Sequence, residues 1–183
     1  MPFQRWGFVT IRQETIMSMS DNTNDVIYLT PEGHQRLEEE LQYLTTVRRQ
    51  EIATRIRDSK EHGEFSEDNS ELDEVKFEQA MVEGRIVDVK SVLSNAQVIT
   101  AADVSTKEVS IGSLVQVMNT KSKDSFKVLV VSSVEADPDH DRISTESPLG
   151  EAIFGKKKGD KVTVDAPAGK MTYEIMSLAK GVK

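Results

Sequence analysis

Two long stretches of this chain carry apolar residues at helical spacing, and a short acidic turn joins them. The first stretch holds Leu37, Leu41, Leu44, Ile52 and Ile56, and the second holds Leu72, Val75, Val82, Ile86, Val89 and Leu93. Such spacing follows one face of an α-helix. Two such faces joined by a Gly-containing turn predict an antiparallel coiled-coil hairpin. Gln79 stands where the second series has its gap, so it is expected as a polar knob in the seam, facing Arg55 or Ile56. Arms of about 30 residues make a rod on the order of 45 Å long. The turn, Lys60 to Asn69, is rich in carboxylates and would ride at the end of that rod, far from any pocket of its own. This shape suits delivery of acidic groups into a partner's cavity.

Local signals frame the two helices. Thr30-Pro31 supplies an N-cap and a favoured first helical residue, and the first helix is expected to run to about Lys60, with Gly63 as its stop. Ser66 suits the N-cap of the second helix, with Glu67 and Asp68 in the first turn where the helix dipole favours acids. That helix should end near Ser94-Asn95. From Val98 onward the period becomes two. Strands are expected at Gln97 to Ile99, Leu114 to Met118, Ser125 to Ser132, Lys161 to Val164 and Thr172 to Ser177. A polar turn is expected at Ala136 to Arg142 and a short helix at Pro148 to Phe154. The predicted fold class is therefore α+β, with a hairpin domain over 26–100 and a compact second domain over 107–183. Residues 1–25 read as a flexible polar extension, within which Met17 and Met19 offer alternative starts.

Composition narrows the function classes. A net charge of -8 argues against holding duplex nucleic acid by an overall field, which needs dense Lys and Arg. Without cysteine there are no disulfides and no thiolate zinc sites. No apolar run approaches the roughly 18 residues of a membrane span, so a soluble, cytoplasmic protein with no membrane partner is expected.

The acidic turn is the strongest candidate site. Between Lys60 and Glu74 lie Glu61, Glu64, Glu67, Asp68, Glu71, Asp73 and Glu74. A merely solvated turn also carries acids, but here Lys60 and Lys76 flank them and Phe65 sits among them. Carboxylates three or four apart can share one Mg²⁺, though two alone hold it weakly, so a second protein's ligands would be needed. Other patterns fail. Gly150 to Lys157 spaces as GxxxxGK, but Lys157 replaces the hydroxyl that must reach Mg²⁺. Asp137, Asp139 and Asp141 begin like a calcium loop, but Arg142 replaces its glycine and Pro148 its bidentate acid, leaving a charged turn. His34, His62 and His140 form no ligand pair.

Several stretches together resemble the bacterial transcript-cleavage (Gre) factor family. They are Leu29-Thr30-Pro31-Glu32-Gly33, Arg57 to Asn69, Val82 to Ile86, Leu93 to Val98, Ser147 through Gly155, and Gly159-Asp160, within roughly 26–178. The resemblance implies a coiled-coil hairpin followed by an FKBP-like domain. It implies that the second domain docks at the rim of the RNA polymerase secondary channel, where the docking segment matches Glu146, Ser147 and Pro148. It further implies that the hairpin enters the channel and that its tip acids help hold the second catalytic Mg²⁺. Polymerase then cuts the backtracked RNA itself, so the chain is a co-catalyst rather than an enzyme. No cofactor is expected on the chain alone, and a monomer is expected. Lys60 and Lys76 match family positions that touch the RNA 3′ segment.

The family tip reads Gly-Asp-Leu-Ser-Glu-Asn. Gly63-Glu64-Phe65-Ser66-Glu67 matches it with Glu64 for Asp, and Asp68 is then one residue more than the pattern holds before Asn69. Alternatively Glu67 is the extra residue and Asp68 takes the second acidic role. Either way the resemblance implies that Glu64, with Glu67 or Asp68, forms the catalytic and metal-holding pair, in complex with polymerase only. A Gre-like protein that occupies the channel and modulates polymerase without cleavage remains the alternative. A free FKBP-like isomerase or chaperone is the weaker third reading, since Phe126, Phe154 and Tyr173 are the second domain's only aromatics.

Overall fold

The computed structural model describes residues 26–63, 70–166 and 169–182. The extension 1–25 and the tip segment 64–69 lie outside it.

The hairpin begins with a short strand, β1 (Ile27–Leu29), where the sequence suggested only an apolar lead-in. α1 (Pro31–Tyr43) follows, capped by the Thr30 hydroxyl, which accepts the Gly33 N–H at 3.0 Å. The first arm is not one uniform α-helix. Leu44–Arg48 winds as a π turn before α2 (Arg49–Gly63) resumes. Seam spacing explains the change. Leu44 and Ile52 are one residue further apart than a heptad allows, and an extra α-helical residue would swing the later seam by about 100°. The wider π winding absorbs that residue. Ile52 is then 2% exposed against the second arm. Hydroxyls of Thr45 and Thr46 donate to the Leu41 and Gln42 carbonyls, each at 2.7 Å, and so satisfy acceptors around the disturbed turn.

α3 (Ser70–Ser94) returns along the first arm and buries Val75, Ile86 and Val89. Gln79 is not the polar seam residue expected from the spacing: it is exposed, and Glu78 takes the inward place. The Glu78 carboxylate accepts from both Arg48 and Arg55. Two guanidiniums offer it charge-assisted bonds that a neutral amide cannot match. β2 (Ala96–Val98) then pairs in parallel with β1. Leu29, Leu37 and Val89 close the core at the base of the rod.

The second domain is a five-stranded sheet in the order β5-β4-β3-β7-β6. Its strands are β3 (Ser113–Asn119), β4 (Ser125–Val131), β5 (Arg142–Ser144), β6 (Lys161–Ala166) and β7 (Gly169–Lys180). Only the β4–β5 pairing is parallel. The sequence left β5 as the end of a turn. α4 (Pro148–Ile153) packs on one face, and its Ile153 joins Val115, Val117, Val128, Val130, Val162 and Ile175 in the core. The chain is thus an N-terminal helical hairpin followed by an α+β domain.

Two attachments join the units. The linker after β2 is pinned by Ile99, Val104 and Val182. Gly112 makes this packing possible: its φ is +83°, and a Cβ there would lie 2.7–2.9 Å from those three side chains. The second attachment lies at the start of α1.

Candidate functional site

The described arms run to either side of the tip, and Glu64, Glu67 and Asp68 fall outside the described residues. What the structure gives is the frame that holds them. Arg49 forms a two-bond fork to Glu83 at 2.7 and 2.6 Å, and Arg85 grips Glu40 in the same way at 2.6 and 2.8 Å. With the Arg48–Glu78–Arg55 cluster these forks tie the arms together along the rod. Bidentate pairing fixes geometry better than a point charge does. The guanidinium of Arg49 also holds the Glu83 carboxyl below the usual carboxylate range.

Lys60 and Lys76 sit on the two arms near the tip, both exposed. The pairs Arg49–Glu83 and Arg55–Glu78 set the cross-arm register, and the same register brings Lys60 level with Asp73. Lys76 Nζ lies 3.5 Å from the Asp73 carboxylate. Around the tip, Glu61, Glu71, Asp73 and Glu74 are likewise exposed. Among the described residues no group of three or more His, Asp or Glu side chains is arranged to hold a metal.

The segment Glu146-Ser147-Pro148 forms the entry to α4. Ser147 is its N-cap: the hydroxyl donates to the Ser144 carbonyl at 2.7 Å and accepts the Gly150 N–H at 3.1 Å. Glu146 and Pro148 are exposed, and Glu146 accepts from the Ser133 hydroxyl at 3.1 Å. This segment is therefore a firm, polar corner of the second domain, well separated in sequence and fold from the tip.

The rejected motifs have ordinary roles. Asp137 accepts from His140 at 2.8 Å and closes a turn at Pro138–His140, with Asp141 left-handed at φ 55°. That bond holds the Asp137 carboxyl below its usual range, with a smaller contribution from Arg36. Gly150 to Lys157 spans α4 and the connection toward β6.

One group escaped the sequence reading. Glu135 is 1% exposed and belongs to the second domain, yet its carboxylate accepts from the Thr30 N–H at 2.9 Å and from the Thr30 hydroxyl. The available signal was Gly33, a poor helix former in the first turn of α1. A Cβ there would lie 1.6 Å from Glu135 Oε1.

Comparison with known proteins follows both units. The family model described as "Transcription elongation factor, N-terminal" matches residues 27–98, and "Transcription elongation factor, GreA/GreB, C-term" matches 104–180. A transcription elongation factor GreA from Thermoanaerobacter pseudethanolicus is 46% identical over 84% of this chain and 98% of its own length. One from Acetivibrio thermocellus is 46% identical over 86% and 99%. Among solved structures, GreA factor homolog 1 of Thermus thermophilus aligns at 29% identity and TM-score 0.40, over 85% of this chain and 99% of its own.

Proposed function

Because the chain belongs to the GreA/GreB family of transcription elongation factors, on its GreA side, we propose that it stimulates cleavage of backtracked RNA by RNA polymerase. The second domain docks at the rim of the secondary channel through Glu146, Ser147 and Pro148. The hairpin enters the channel and presents Glu64 with Glu67 or Asp68 to the polymerase active site, while Lys60 and Lys76 contact the extruded RNA 3′ segment. Carboxylate oxygens suit Mg²⁺, which is commonly held by one or two carboxylates together with phosphates and waters. A metal so placed would stabilise the attacking water in two-metal phosphodiester hydrolysis. The chain's own part is to bring the acids to the metal and hold the RNA end.

The observation that supports this reading most is the frame itself. Two arms locked by bidentate ion pairs lead from a docked base to the segment that contains the acids. Such a rod carries its chemistry to a remote site and has no use for a pocket of its own.

A stalled, backtracked elongation complex with labelled RNA tests the function. Added protein should release short 3′ fragments and restore elongation, and the protein without polymerase should leave RNA intact. Inhibition of synthesis with no fragments would instead identify a channel-occupying modulator.

A further inference from the structure

We propose that Glu135 is a positioning residue for the tip: it aims the hairpin by clamping the start of α1 to the second domain. The proposal rests on the cleavage function above and adds the element that sets the direction of the rod.

A rod attached by one linker can pivot. Here the linker holds the end of the second arm, through Ile99, Val104 and Val182. Glu135 holds the beginning of the first. Held at the bases of both arms, the rod has one direction. The Glu135 clamp is built for contact. Thr30 caps α1, so its hydroxyl takes the Gly33 N–H while donating to Glu135, and its own N–H donates to the other carboxylate oxygen. A buried carboxylate at a helix N-terminus also meets the favourable end of the dipole. Glycine at 33 weakens the helix, and the 1.6 Å approach to a would-be Cβ supplies the reason for it. On the other side, Glu135 is fixed in a 3-10 turn directly after β4, its N–H donating to the Ser132 carbonyl at 3.1 Å. Two cross-domain ion pairs flank the clamp, Arg142 with Glu32 and Arg36 with Asp137 at 3.7 Å.

Leverage makes this small joint matter. From Pro31 to Gly63 the first arm is roughly 50 Å long at about 1.5 Å per residue. A swing of about 10° at the base would carry the tip sideways by roughly 9 Å over that length. Catalytic constellations tolerate only about 0.5 Å of misplacement.

Two variants approach the joint from opposite sides. Glu135→Ala removes the acceptor. Gly33→Ala drives a methyl into it while raising the helix propensity of α1, so loss of the hairpin cannot explain its effect; equal helix content by circular dichroism verifies this. The chain has no cysteine, so spin labels at Ala53→Cys and Lys158→Cys, both exposed, report the distance between hairpin and second domain. The unaltered joint should give one narrow distribution, and both variants should broaden or shift it. At saturating factor the cleavage rate should fall by about 10- to 100-fold while polymerase affinity holds. Glu135→Gln, which keeps one acceptor oxygen, should fall between. Wild-type distances in both variants, or altered distances with an unchanged rate, would overturn the proposal. If the unmodified protein does not stimulate cleavage, the function above fails, and the distance distributions still decide whether Glu135 sets the direction.

Discussion

Glu78 and Gln79 show what single residues decide along the rod. Spacing alone favours Gln79 as the inward residue. The ion pairs reverse this, because Arg48 and Arg55 face the acid next to it. Gln79→Leu is therefore expected to leave stability within about 0.5 kcal/mol, as exposed substitutions usually do. Glu78→Ala should lower stability by about 1 kcal/mol or less, since all three partners keep partial solvent contact. A thermal melt in which Gln79→Leu stabilises strongly would return Gln79 to the seam. The paired acids also set the response to pH. Arg49 lowers the Glu83 pKa and His140 lowers that of Asp137, so folding favours their ionised forms. Carboxyls of this kind stabilise the fold above their unfolded pKa and lose that contribution as pH falls through the folded value. The melting midpoint should thus drop on acidification below about pH 4. Combining Glu83→Gln with Asp137→Asn should flatten part of the drop, and an unchanged acid slope would contradict these assignments.

At the scale of elements, the π turn is the feature with the clearest consequence. Deleting Thr46 should restore plain α winding and leave Ile52 and Ile56 facing α3, because Leu44 and Ile52 would then lie one heptad apart. The seam then loses no side chain, so stability, read from the melting midpoint, should stay within about 1 kcal/mol of the unmodified protein's. A deletion variant that melts far below the unmodified protein would show that the π turn does not absorb an extra residue. The same feature marks where the sequence was legible. Both arms, α4, and strands β3, β4, β6 and β7 follow from periodicity, because burial on one face repeats every three to four or every two residues. The π turn does not, because the eight-residue gap from Leu44 to Ile52 marks a skip in the repeat without showing how the helix absorbs it. β1 and β5 have three residues each, too few to display a period, and exist through pairing with β2 and β4. Glu135 was invisible for a related reason: its partner lies 105 residues away. The tip acids became legible through family resemblance, since spacing alone offers only a crowded acidic turn.

For the whole molecule, the division of labour is the decisive question. The second domain has its own core and the hairpin its own seam. Residues 107–183 are therefore expected to retain most polymerase binding, while 26–100 alone should bind weakly for lack of the tether that raises its local concentration. A pull-down that retains only the hairpin fragment would reverse the roles. The tip must then account for cleavage rather than binding. The most direct measurement compares the unmodified protein with a Glu64→Ala/Glu67→Ala double variant on backtracked complexes carrying labelled RNA, at saturating factor, with polymerase binding measured in parallel. The double variant should bind as well as the unmodified protein and release almost no 3′ fragment. Fragment release at the unmodified rate would show that these carboxylates do not hold the metal, and that the hairpin serves polymerase in another way.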